Sequence, residues 1–180
     1  MRDNARKCFV QAYNAQLAVD AGKQIIVAAE ITQEQTDDAQ LLPMLASLQC
    51  AAGARPTVVV ADAGYRDTTS LCDPALAGIE VLVCPDSTPP SADSSPPPKA
   101  PMTEAAVRVR ERLRQPEQRA QYDRRKITVE PVFGQIKEAR GIRRFRFRGL
   151  RRVAQEWKLI CATHNLLKLF RHRSSLLAPA

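Results

Sequence analysis

The chain has 180 residues, 44% of them hydrophobic, which suits one domain with a real core. No apolar run reaches the roughly eighteen residues of a membrane-spanning helix. The opening Met-Arg-Asp-Asn-Ala-Arg-Lys lacks the apolar stretch of a signal peptide, so a cytoplasmic location is expected. Charge is unevenly placed: residues 1–93 carry 6 Lys+Arg against 12 Asp+Glu, and residues 94–180 carry 21 against 7. A second half so basic points to a polyanion as partner, and the acidic first half could hold metal-binding carboxylates.

Tyr13 to Asp20 partly alternates polar and apolar side chains and predicts a strand. Ala21-Gly22-Lys23 predicts a turn, and the β-branched run Gln24 to Thr32 predicts a second strand antiparallel to the first. Thr36 is placed to cap a helix over about Asp37 to Gln49, with Asp37 and Asp38 in its first turn and Pro43 as a blemish. Thr57 to Ala61 is a short continuous apolar run, as in a central strand covered on both faces, and it ends in Asp62-Ala63-Gly64-Tyr65. A short helix opening at Asp67-Thr68-Thr69 and a strand at Glu80 to Cys84 complete an α/β pattern with parallel pairing.

Seven of the 13 prolines fall between Pro85 and Pro101, marking a linker or surface loop. A charged helix follows from Thr103 to about Arg114, interrupted by Pro116. Tyr122 to Arg140 reads as helical in its second half, and Gly141 can end it. Val153, Trp157, Ile160, His164 and Leu167 recur at helical spacing in a closing amphipathic helix. The five cysteines form no CxxC pair and read as buried free thiols.

Three places could carry chemistry. Asp62 directly follows a strand, where an α/β sheet gathers ligands at its carboxyl end, although an Asp there can equally cap a turn. Glu130 and Lys137 are seven residues apart, nearly two helical turns, so one face could present a carboxylate to a metal and an ammonium to a phosphate. A solvated charged face gives the same pattern. Arg143 to Arg152 holds six arginines in ten residues, with Phe145 and Phe147 interleaved. Such a strip could neutralise phosphates while its phenylalanines anchor it to the core or stack on exposed bases. His164 reads as a core histidine. No P-loop, dinucleotide fingerprint, HExxH or GxSxG is present.

The ordered set Tyr13-Asn14-Ala15-Gln16-Leu17-Ala18-Val19-Asp20, Val60-Ala61-Asp62-Ala63-Gly64-Tyr65, Val129-Glu130-Pro131-Val132-Phe133-Gly134-Gln135-Ile136-Lys137, Arg140-Gly141-Ile142-Arg143-Arg144-Phe145 and Asn165-Leu166-Leu167-Lys168-Leu169 resembles bacterial insertion-sequence transposases of the DDE class. The likeness spans about residues 9–170, with 86–102 as a divergent Pro/Ser-rich loop and 171–180 as a basic, disordered tail.

That resemblance implies an α/β fold, an RNase H-like mixed sheet flanked by helices. It implies Asp62 and Glu130 as the second and third catalytic carboxylates, holding Mg²⁺ or Mn²⁺. It places Lys137, with Arg140, Arg143, Arg144, Arg146 and Arg148, against double-stranded DNA at transposon ends and target, near the nucleoid. The Tyr and Arg that precede the glutamate in the family signature are not matched in place: Tyr122 stands one position off, and Lys126 takes the Arg position. The family's first strand, with its first carboxylate in an Asp-Gly-Thr-like motif, has no counterpart before Tyr13. Asp20 is the nearest stand-in, though it suits the hairpin turn. The expectation is therefore a truncated transposase for cleavage and strand transfer at insertion-sequence ends, acting as a homo-oligomer or beside an intact transposase. The competing readings are a non-catalytic DNA-binding fragment and an RNase H-like nuclease such as a Holliday-junction resolvase.

Overall fold

The computed structural model describes residues 2–3, 8–9, 12–84 and 103–177. The Pro/Ser-rich segment 86–102 lies outside them. The chain divides into two compact units, one of residues 1–35 and 128–180, the other of residues 36–127. No described helix is long and apolar enough to cross a membrane.

The first unit is built on a hairpin. After a short ladder of β1 (Arg2–Asp3) with β2 (Cys8–Phe9), β3 (Asn14–Val19) runs antiparallel to β4 (Ile26–Thr32), from Asn14↔Thr32 to Val19↔Ile26. The turn between them is held by Asp20, whose Oδ2 accepts the N–H groups of Gly22 (3.1 Å) and Lys23 (2.8 Å). This is the Asx chemistry that makes Asp a turn residue. Ile26, Ala29 and Ile31 then face Val132, Ile136, Val153, Trp157, Ile160 and Cys161 in one core. Most of that second set lies on α7 (Leu150–Leu177), and the expected stripe Val153, Trp157, Ile160 and His164 is buried, whereas Leu167 is exposed. The helix continues through residues 171–177, so most of the segment expected as a disordered tail is helical.

The second unit holds the parallel pair β5 (Val58–Ala61) and β6 (Glu80–Val83), with Val59↔Val81 and Val60↔Leu82 in register. Successive side chains of a strand point to opposite faces. Val81 and Val83 accordingly join Leu41, Leu45, Leu76 and Ile79 on one side, while Leu82 and Cys84 join Val109, Leu113 and Tyr122 on the other. The pair is covered on both faces, as the apolar run predicted.

Around it, α1 (Leu41–Ala52) follows a 3-10 turn at Asp38–Gln40. The expected Thr36 cap is not found: the helix starts at Leu41 with Gln40 at its N-cap and no side-chain cap bond. The late start also accommodates Pro43, whose missing N–H falls in the first turn, where no intrahelical partner exists. Helix α2 (Thr68–Leu71) is capped by Asp67, which accepts from Thr69 and Ser70. Helix α3 (Glu104–Arg112) is capped by Thr103, and Pro116 opens α4 (Pro116–Asp123) from its first turn.

The described strands form three two-stranded ladders. The second half of Tyr122 to Arg140 is helical as expected: after α5 (Arg125–Thr128) come α6 (Glu130–Gly134) and a π-helical turn at Gln135–Ala139. Pro131 dictates the break before α6, because it fits a first turn and not a helix interior. Gly141 (φ +67°) ends the run in the left-handed region that favours glycine.

Candidate functional site

Asp62 sits immediately after β5 and caps the 3-10 turn Ala63–Tyr65, accepting the Ala63 N–H at 2.7 Å. The cap leaves the side chain 73% exposed, with the Arg125 Nε 3.8 Å from Oδ1. Arg125 is itself well fixed. Its guanidinium lies over the Tyr122 ring, 3.9 Å from the centroid, and donates to the Tyr122 carbonyl at 3.2 Å. It also stands 3.8 Å from Asp123.

Asp37 belongs to the same locality, and sequence reasoning missed it by reading the Asp37-Asp38 doublet only as helix-start acids. A Cβ on Gly64 would come within 3.2 Å of the Asp37 Oδ2, a tight contact that the Asp37 carboxylate would have to ease. Burial, then the charges of Asp37 and Asp62, push the Tyr65 phenol well above its ordinary pKa.

Glu130 is the exposed first residue of α6, in the other unit. Lys137 lies in the π turn that follows α6, where Arg140 N–H reaches back five residues to the Gln135 carbonyl at 3.0 Å. The Lys137 ammonium lies 5.2 Å from the Phe133 ring centroid, a cation–π distance.

Among the described residues no three His, Cys, Asp or Glu side chains gather into a group that could hold a metal ion. Asp20, the possible substitute, has an oxygen committed to its turn.

The arginine run resolves into distinct parts. Arg140 is half-buried and clamps α7, donating to the Ile160 carbonyl at 2.9 Å and the Thr163 Oγ1 at 2.6 Å. Arg143 pairs with Glu138. Arg144, Arg146, Arg148, Arg151 and Arg152 are exposed. The loop before α7 is held by Glu156, whose carboxylate accepts the N–H groups of Arg146 (2.9 and 3.0 Å) and Phe147 (3.1 Å). Tyr13 Oη accepts the Gly149 N–H at 2.9 Å. Phe145 packs edge-on against Tyr13 and Trp157, whereas Phe147 is 56% exposed. Phe145 thus anchors the loop to the core, and Phe147 does not.

His164 is buried, and its Nε2 has no hydrogen-bond partner among the described residues. Burial lowers its pKa, helped by Lys168 and Arg140 and opposed by a backbone bond with Gln24. It is a core histidine.

No curated protein and no solved structure matches the chain. The family model described as the transposase DDE domain matches residues 95–170. That stretch contains Glu130, Lys137 and the whole arginine run; Asp62 and the β3–β4 hairpin lie outside it. Over those residues the chain is similar to the DDE domain of transposases.

Proposed function

We propose that the chain serves DNA transposition by gripping the DNA backbone with the strip Arg144, Arg146, Arg148, Arg151 and Arg152. The observation that carries this is their shared exposure on a loop and helix start whose backbone Glu156 and Tyr13 hold in place. Five guanidiniums on one short stretch repel one another, and a row of phosphates relieves that repulsion while releasing condensed counterions. Arg140 and Arg143, expected as DNA contacts, serve the strip through the helix clamp and the Glu138 pair. Double-stranded DNA, as transposon end and as target, is the partner; a second copy or an intact transposase would supply the assembly.

On the family resemblance, Asp62 and Glu130 are the carboxylates for phosphodiester cleavage and strand transfer on an RNase H-like scaffold. Mg²⁺ or Mn²⁺, when bound, would act as a Lewis acid on the attacking and leaving oxygens. A second, non-catalytic reading needs only the exposed arginine strip, which would occupy transposon ends without any metal. Lys137, beside the Phe133 ring, would be a phosphate contact in either case.

The test is incubation of the chain with labelled DNA carrying the element's terminal repeats, in Mg²⁺, Mn²⁺ or EDTA, beside Glu130→Gln. Metal-dependent nicking lost in Glu130→Gln supports the catalytic role. Salt-sensitive binding with no nicking in any metal supports DNA binding alone. Failure to bind DNA even at low salt overturns both.

A further inference from the structure

Phe145 and Phe147 stand two residues apart in the arginine loop and meet opposite surroundings. Phe145 is half-buried, its ring 6.3 Å from that of Tyr13 and 6.0 Å from that of Trp157, both edge-on. Phe147 keeps 56% of its surface exposed, between the exposed Arg146 and Arg148. A scattered apolar side chain on a surface needs no explanation by itself. This one differs because its backbone is pinned. The Phe147 N–H and the preceding Arg146 N–H both end on Glu156, and the Gly149 N–H ends on Tyr13 Oη. The loop thus holds an aromatic ring at the surface with a cation on each side.

If the arginines hold phosphates, that ring lies within reach of the bases between them. An intact duplex offers phosphates but hides its base faces in the stack. An unpaired or extruded base offers a π-face, and the cost of unstacking it is already met. Stacking on such a face is sequence-tolerant, because every base has one. We infer that Phe147 stacks on an unpaired or extruded base, so that the loop favours DNA opened or distorted at the bound position over perfect duplex. The inference rests on the proposed DNA-binding function and adds a base-stacking residue to it. Glu156 and Tyr13 act as positioning residues for the ring.

The test compares the full chain with Phe147→Ala and Phe147→Trp on two duplexes of one sequence. One is fully paired; the other carries a single bulged 2-aminopurine. Affinity is read by anisotropy across a salt series, and stacking by 2-aminopurine quenching. The wild type binds the bulged DNA more tightly and quenches the probe. Phe147→Ala weakens binding to the bulged DNA about 5- to 100-fold and loses the quenching, while its salt slope is unchanged because the phosphate contacts remain. Phe147→Trp restores both. Equal binding of the two duplexes by wild type and Phe147→Ala, with the arginine-dependent salt slope intact, overturns the stacking inference alone. No binding to either duplex overturns the DNA-binding reading beneath it. A thermal melt of Phe147→Ala that coincides with the wild type excludes unfolding as the cause.

Discussion

The side chain of Asn165 makes two hydrogen bonds to the backbone of a single residue, Ile26. Its Oδ1 accepts the Ile26 N–H at 2.8 Å and its Nδ2 donates to the Ile26 carbonyl at 2.8 Å. The amide thus acts as one residue of a neighbouring strand and docks α7 onto the start of β4. Lys168, one turn on, continues the seam by donating to the Lys23 carbonyl at 3.0 Å and the Gln24 Oε1 at 2.8 Å.

Replacing Asn165 by Leu leaves both Ile26 groups without that partner in a part-buried place. The expected loss is about 1–3 kcal/mol. Asn165→Asp keeps the acceptor and sets a carboxylate against the Ile26 carbonyl, so it should be no better than Leu. Urea unfolding followed by fluorescence of Trp157, the only tryptophan, measures both. An Asn165→Leu midpoint equal to wild type would show that the amide does not dock the helix.

The two phenylalanines of the loop separate stability from binding. Phe145→Ala removes a ring that touches Tyr13 and Trp157. It should lower stability by about 1–3 kcal/mol, below the full-core value because the residue is only half-buried. Phe147→Ala should stay within about 0.5 kcal/mol of wild type, as an exposed substitution does. The same urea melts decide, and equal losses in the two variants would contradict the division of roles.

How far the sequence foretold this depended on how local each cause was. The hairpin, its Asp20 turn, the buried parallel pair and the Val153–His164 stripe all follow from periodicity and turn chemistry within a few residues. The π turn at Gln135–Ala139 was not legible, because such a turn has no periodic signature; only the clustering of Pro131, Gly134 and Gly141 hints at irregular helix. The arginine run was legible as charge, but its sorting into clamp, ion pair and exposed strip was not. That sorting depends on Ile160, Thr163 and Glu156, which lie on a different element. Asp37 escaped for the same reason: its approach to Gly64 crosses 27 residues of chain.

His164 gives the first unit an acid-sensitive point. Its folded pKa lies below the ordinary 6.5, chiefly through burial. Folding therefore favours the neutral ring. The stability tied to that neutrality is fully present above pH 6.5 and is lost as pH falls through the lowered folded value. In His164→Gln the corresponding slope should vanish. Urea midpoints from pH 7.5 down to about 5, taken as the difference between wild type and His164→Gln, isolate it from the carboxylates that titrate in both. A difference independent of pH would mean the histidine is not held neutral.

Arg140 and Arg148 should behave oppositely although both were expected to contact DNA. Arg140 donates to the Ile160 carbonyl and to Thr163, so Arg140→Ala strips α7 of a two-point clamp. A loss of about 1–3 kcal/mol follows, since charge-assisted bonds exceed neutral ones. Its effect on DNA should track that stability loss and leave the salt slope nearly unchanged. Arg148 is exposed, so Arg148→Ala should melt with wild type. On DNA it should remove close to one phosphate contact, reducing the slope of log K against log salt by about 0.9 on duplex. Binding isotherms between about 50 and 200 mM salt resolve that change. If Arg140→Ala flattened the slope and Arg148→Ala did not, the clamp and the contact would have been assigned the wrong way round.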